Sequence, residues 1–129
     1  MEIEEALFAY LDSFLTAKLY PGNRPQESVL PAVTYQRKTG GYQHDLDGAS
    51  DFAKPAFDIE VFSKDFSQVI SITETIRQKM QGFTGTLSGR EIYSITLDDE
   101  SDSYFPPKDA TASGLFSTTL SYTIQHREN

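Results

Sequence analysis

The stretch from Gly114 to His126 constrains the fold more than any other, because its side chains alternate in character along the run. Phe116, Leu120, Tyr122 and Ile124 point one way, while Ser117, Thr119, Ser121 and Thr123 point the other. Period-two alternation is the mark of a strand with one apolar and one polar side. The Ser/Thr side reads as a solvated sheet surface. It also suits lateral packing between subunits, because pairing at a strand edge supplies backbone hydrogen bonds.

The other elements follow from spacing. Ile3, Leu7, Tyr10, Leu11, Phe14 and Leu15 recur at three- and four-residue intervals and predict an amphipathic helix over 3–18. Glu2, Glu4 and Glu5 stand at its start and Lys18 at its end, as the helix dipole prefers. Tyr20-Pro21-Gly22-Asn23-Arg24-Pro25 breaks it by turn chemistry. Residues 32–38 alternate as a strand, with Val33, Tyr35 and Arg37 on one side, and a polar, glycine-rich loop runs from Thr39 to about Lys54. Phe57, Ile59 and Val61 make the core face of a strand over 55–62.

Phe66, Val69, Ile70, Thr73, Ile76 and Met80 then line one face of a second helix over 66–80. Asp65 or Ser63 can cap it and Gly82 stop it. Ser88-Gly89 joins strands over 84–87 and 90–97, and residues 98–113, acidic and then rich in Pro, Ser and Thr, read as a long loop. The order α-β-β-α-β-β-β, without internal repeat, predicts an α+β fold of one domain over 1–129. It is a mostly antiparallel sheet of about four to five strands with two helices packed on one face. A parallel crossover has room only across the second helix.

Composition narrows the function. The net charge is −8 and the eleven Lys and Arg are scattered along the chain. A groove that grips nucleic acid needs clustered cations to displace counterions, whereas an acidic wall repels a phosphate backbone and lets it slide past. There are no cysteines, so disulfides and thiolate metal sites are excluded. Met1-Glu2-Ile3-Glu4-Glu5 is acidic where a signal peptide is basic, and no apolar run approaches a membrane span, which predicts a cytoplasmic chain. With a hydrophobic fraction of 38%, nine Phe and seven Tyr carry much of the burial.

Candidate chemistry is thin. His44, Asp45 and Asp47 sit close together but match neither a zinc nor a calcium spacing, so they read as a solvated turn. Asp98, Asp99, Glu100 and Asp102 form a second acidic cluster. Paired catalytic carboxylates need opposite environments, which neighbouring loop positions do not supply. His44 and His126 are the only histidines and no nucleophile elbow is present. The sequence therefore predicts no enzyme, no metal and no cofactor.

Several segments, in order, carry a resemblance. They are Glu4-Glu5-Ala6-Leu7, Leu19-Tyr20-Pro21-Gly22 with Pro25-Gln26, and Leu30-Pro31-Ala32-Val33-Thr34-Tyr35-Gln36-Arg37. Leu46-Asp47-Gly48, Phe57-Asp58-Ile59-Glu60-Val61-Phe62, Gly82-Phe83-Thr84-Gly85 and Leu97-Asp98-Asp99-Glu100-Ser101-Asp102 follow, before the alternating last strand. Over nearly its whole length the chain resembles the tail-completion (tail-to-head joining, terminator-like) proteins of long-tailed phages and prophages. The resemblance implies a ring of about six copies at the head-proximal end of the tail tube, closed by complementary subunit faces. Its partners would be further copies of itself, the tail tube protein and the head connector or head-completion protein, with DNA passing through the lumen unbound and no membrane involved. The chain would be made in the bacterial host cytoplasm and end in the virion neck. Tyr42, Asp47, Asp51, Asp98, Asp99, Asp102 and Tyr104 are the expected assembly residues. Two other readings stand beside this one: a small non-enzymatic binding or regulatory module encoded with morphogenesis genes, and a hydrolase built on the acidic cluster.

Overall fold

Two long hairpins build the sheet. The computed structural model describes residues 3–15, 17–22, 31–39, 42–45, 48–81, 83–87, 90–106 and 114–127, with backbone alone at 39, 42–45, 48–53, 90 and 127. In the first hairpin, β2 (Ala32–Thr39) and β3 (Tyr42–Asp45) make one arm, and β4 (Gly48–Ala53) and β5 (Ala56–Ser63) the other. Val33 lies opposite Val61, Arg37 opposite Phe57, Tyr42 opposite Ala53 and Asp45 opposite Gly48. Lys54 and Pro55 interrupt the second arm, where proline has no N–H to offer a ladder. The Pro55 carbonyl still accepts a 3.0 Å bond from the Ile124 amide, which keeps the arm in register with the next strand.

The second hairpin is β7 (Arg90–Phe105) against β8 (Leu115–Arg127), with Phe105 opposite Leu115 and Ile95 opposite Ile124. β8 also takes β5 on its other edge, with Ile59 opposite Leu120, and β4 prolongs that edge at Phe52 and Ala53. The short strand β6 (Gly85–Leu87) pairs the start of β7, and β1 (Lys18–Pro21) pairs β2 in parallel. The lateral order is thus β1, β2, β5, β8, β7, β6 in one sheet of eight strands.

The register places Val33, Phe57, Ile59, Val61, Leu120, Tyr122, Ile124 and Ile95 on one face, all buried. Helices α1 (Ile3–Phe14) and α2 (Phe66–Met80) cover that face, contributing Ile3, Leu7 and Leu11 from one and Val69, Ile76 and Met80 from the other. Each such side chain gains about 1.5–3 kcal/mol from leaving water. Asp65 caps α2, accepting the Ser67 amide at 3.1 Å, and Ser63 Oγ in turn accepts the Asp65 amide at 3.1 Å. A cap of this kind contributes about 1 kcal/mol. The Tyr10 hydroxyl ties α1 to the end of α2 by donating to the Lys79 carbonyl at 2.6 Å.

The α+β architecture with both helices on one face agrees with expectation; the strand inventory is larger. α1 ends at Phe14, and Lys18–Pro21, expected as helix end and turn, is strand β1 with Leu19 buried against the core. Gly22, at φ 74°, closes β1 and donates its amide to the Tyr35 carbonyl at 2.8 Å. The parallel pair is therefore β1 with β2, not a crossover over α2. Much of the expected loop 39–54 is the far part of the first hairpin, and 98–105 of the expected loop 98–113 is strand. Both stretches were polar enough to look like loops, yet ladder hydrogen bonds satisfy their backbones without an apolar face. Gly82, the expected stop for α2, and the Ser88-Gly89 turn lie outside the described residues.

Candidate functional site

Neither helix covers the second face of the sheet, which is bare of helices although Ala32, Thr34 and Ser117 on it are buried. There the register brings Asp58 and Glu60 of β5 beside Ser121 and Thr119 of β8. A register shift between Leu97 and Asp99 adds Asp98 as an extra residue in β7. One extra residue reverses the alternation that follows. Leu97 and Glu100 thereby face the helices, while Asp99, opposite Ser121, and Asp98, bonded to the Thr123 hydroxyl, face out. Ser121 donates to Asp58 at 2.7 Å, so its carboxylate is held in a ladder of hydroxyls. Lys38 lies 3.4 Å from Asp58 at the β2 margin, and Lys18, opposite Ala32, lies on the same face at the β1 margin. The middle of this face is thus carboxylate and hydroxyl, a surface that repels a polyanion and offers no nucleophile–base pair.

The margin of the sheet at β7 is a second surface. β6 pairs β7 only at Arg90, Glu91 and Ile92, and from Ser94 to Phe105 the outer edge has no strand partner among the described residues. On the helix side of this edge, α2 and β7 enclose a cleft of about 170 Å³ lined by Phe66, Ile70, Thr73, Arg77, Glu100, Asp102 and Thr118. Phe66, Ile70 and Tyr104 are 48%, 51% and 51% exposed, and the rings of Phe66 and Tyr104 stand 5.3 and 4.8 Å from that of Phe116. Arg77 bridges Glu74 and Glu100, the latter at 3.3 Å, and Asp102 accepts the Thr118 hydroxyl at 2.6 Å. The result is an apolar patch with a charged rim, the composition of a protein–protein contact.

Beneath Arg77 and Glu100 lies Tyr122, fully buried, its hydroxyl unpartnered among the described residues. Burial pushes its phenol up to about 12, with the Arg77 charge opposing and Glu100 adding to the rise. The folded protein therefore holds a proton that the unfolded chain releases near pH 10. The contribution of this tyrosine to stability is unchanged below pH 10 and is lost as pH rises from 10 towards 12, by on the order of 2–3 kcal/mol. Tyr122→Phe removes an unsatisfied buried hydroxyl. It is expected to raise stability at pH 7 by about 1 kcal/mol and to flatten the alkaline limb of a denaturation series.

The expected assembly residues fall in separate places. Asp98 and Asp99 lie on the bare face, whereas Asp102 and Tyr104 lie on the helix side beside the cleft. Tyr42 and Asp51 are in the backbone of β3 and β4, and Asp47 lies outside the described residues. Phe52 is level with Arg127 and Asp102 with Thr118, so the two groups are roughly 30 Å apart along β8 at 3.3 Å per residue. Sequence reading assigned Phe66 and Ile70 to the core. The signal against it was their place at the flank of a stripe already filled by Val69, Thr73, Ile76 and Met80. His126, near the end of β8, is buried. Among the described residues no group of three or more His, Cys, Asp or Glu could hold a metal ion, and no helix is long and apolar enough to cross a membrane.

Comparison with known proteins agrees with this geometry. Among solved structures, a chain of "Virion of native gene transfer agent (GTA) particle" is similar with a TM-score of 0.67 at 14% identity, over 97% of this chain and 94% of that one. Among curated proteins none matches. Residues 5–120, from the first turn of α1 to the middle of β8, match the family described as "Tail completion protein gp17". A polar sheet face and an exposed apolar patch agree with this match: the chain belongs to the tail completion protein gp17 family, the structural proteins that complete phage tails.

Proposed function

We propose that this chain, acting as one domain over 1–129, closes into a ring of about six copies at the head-proximal end of the tail tube. The ring ends tube growth and offers a surface to the head connector, and DNA passes through it unbound. The observation that carries this reading is the bare face, where Asp58, Glu60, Asp98 and Asp99 stand among hydroxyls with no helix over them. A wall lining a DNA passage needs that chemistry, because fixed negative charge keeps phosphates from lodging. The helix-covered face then becomes the outer wall.

The two groups of assembly residues suit the two rims. Tyr42 and Asp51 belong to the far part of the first hairpin, and Asp102 and Tyr104 to the opposite end of the sheet. One rim meets the tail tube protein and the other the head-completion protein. The protein is made in the host cytoplasm and finishes in the virion neck. Sedimentation over a wide concentration range, with negative-stain images of the heaviest species and of purified tails, tests the reading. Closed rings with an open centre, free or on tail ends, support it. Uniform tails and infectious particles after deletion of the gene would overturn it.

A further inference from the structure

The two margins of the sheet are complementary in charge, in polarity and in strand direction. At the β7 margin, Asp99 projects on the bare face and Glu100 on the helix face. At the opposite margin, among the described residues, β1 covers β2 only from Ala32 to Tyr35, so beyond Tyr35 the margin is β2 itself. There Arg37 projects on the helix face, opposite Phe57, and Lys38 on the bare face, beside Asp58. Each cation has an internal partner, Glu4 at 2.6 Å and Asp58 at 3.4 Å, yet keeps 40% and 54% of its side chain exposed. The levels agree too, because Arg37 aligns through Phe57 with Tyr122, within two residues of the partners of Asp99 and Glu100 on β8.

We propose that the open edge of β7 takes the β2 edge of a second copy of this chain, so that the sheet runs on from subunit to subunit. The inference rests on the ring reading and deepens it. β7 runs parallel to β5 and β2 antiparallel to it, so copies in the same orientation meet as an antiparallel pair, with N–H and C=O groups matched. Asp99 meets Lys38 on the bare face and Glu100 meets Arg37 on the helix face. Farther along the same margins, the exposed Phe66 and Ile70 of one copy face the apolar groove of about 470 Å³ around Phe8, Pro21 and Tyr35 of the next. The contact joins two different edges, so it propagates in one direction and must close into a ring to end.

The chain has no cysteine, which allows a clean test. Lys38→Cys and Asp99→Cys are made singly and together and treated with a short bis-maleimide, both in solution and bound at tail ends. The single variants stay uncross-linked alone and give a heterodimer when mixed; the double variant gives a ladder ending at the closed ring. A second pair of variants, Arg37→Glu/Lys38→Glu and Asp99→Lys/Glu100→Lys, each lose self-association at least 100-fold, and their mixture assembles again into rings of alternating variants, because every margin then meets one of opposite charge. Rings by sedimentation or imaging without the 38–99 cross-link would overturn this inference and leave the ring reading standing. A single copy at each tail end would overturn both.

Discussion

Alanine in place of Phe57 is expected to lower the free energy of unfolding by about 3–5 kcal/mol, enough to unfold much of a marginally stable domain. Phe57 is fully buried, in the arm of the first hairpin that lies at the centre of the sheet. It stands opposite Tyr122 on one side and Arg37 on the other, so the vacated volume lies between the two hairpins and beneath the helices. Neighbouring strands are fixed by their ladders and cannot collapse into the gap, so the cavity remains and adds its own cost. Phe105→Ala provides the contrast, since that ring is half exposed at the rim and its loss should cost about 0.5 kcal/mol or less. Chemical denaturation of both variants measures the difference. Near-equal destabilisation would mean that the core does not lie where the register of β5 and β8 puts it.

The same residues show why part of the fold could be read from sequence. In β5 and β8 nearly every second side chain is buried and most of these are apolar, so period two alone gave strand, face and core. α1 and α2 were equally plain, because the buried part of each stripe packs on the core face of the sheet. The far end of the first hairpin carried no such signal. Gly40-Gly41, Asp45 and Asp47-Gly48 surround it, and its strands are set by mutual pairing, which leaves no trace in one chain's hydropathy. β7 misled for a further reason. Its bulge at Asp98 shifts the alternation, so the acidic run Leu97-Asp98-Asp99-Glu100 breaks the pattern exactly where the strand continues. The parallel strand β1 is four residues long, too short for any period to show.

The site was legible to a lesser degree. Acidic positions and Tyr104 could be singled out by composition, but not sorted between faces, because the sorting depends on that bulge. Asp98 and Asp102, four positions apart, would lie on one face of a regular strand; Asp98 in fact bonds Thr123 on the bare face and Asp102 bonds Thr118 on the helix side. The cleft was invisible for a different reason. Phe66 and Ile70 look like core on a helical wheel, and only the width of sheet beneath α2 decides that they overhang it.

Adding positive charge to the middle of the bare face is expected to turn a passive wall into a DNA-binding one. Glu60→Lys with Ser121→Lys changes the charge of one copy by +3, from −8 to −5, at positions on β5 and β8 away from both margins. Assembly, carried by the margins in the proposed ring, should survive. Over about six copies the passage would gain roughly eighteen charges, concentrated where duplex DNA runs. Rings of the variant should retain duplex with a dissociation constant on the order of 10⁻⁶ M near 50 mM salt. The affinity should fall steeply by about 200 mM, as counterion release requires. The unaltered ring should retain none, and phage carrying the variant should release their genome more slowly. An isolated copy of the variant presents only three of those changes and should bind far more weakly, which separates a lined passage from a merely less acidic protein. Variant rings that assemble but gain no affinity for DNA would mean that the bare face does not line the channel. The helices would then be the inner wall, and the hydroxyl–carboxylate ladder would belong to an outer contact.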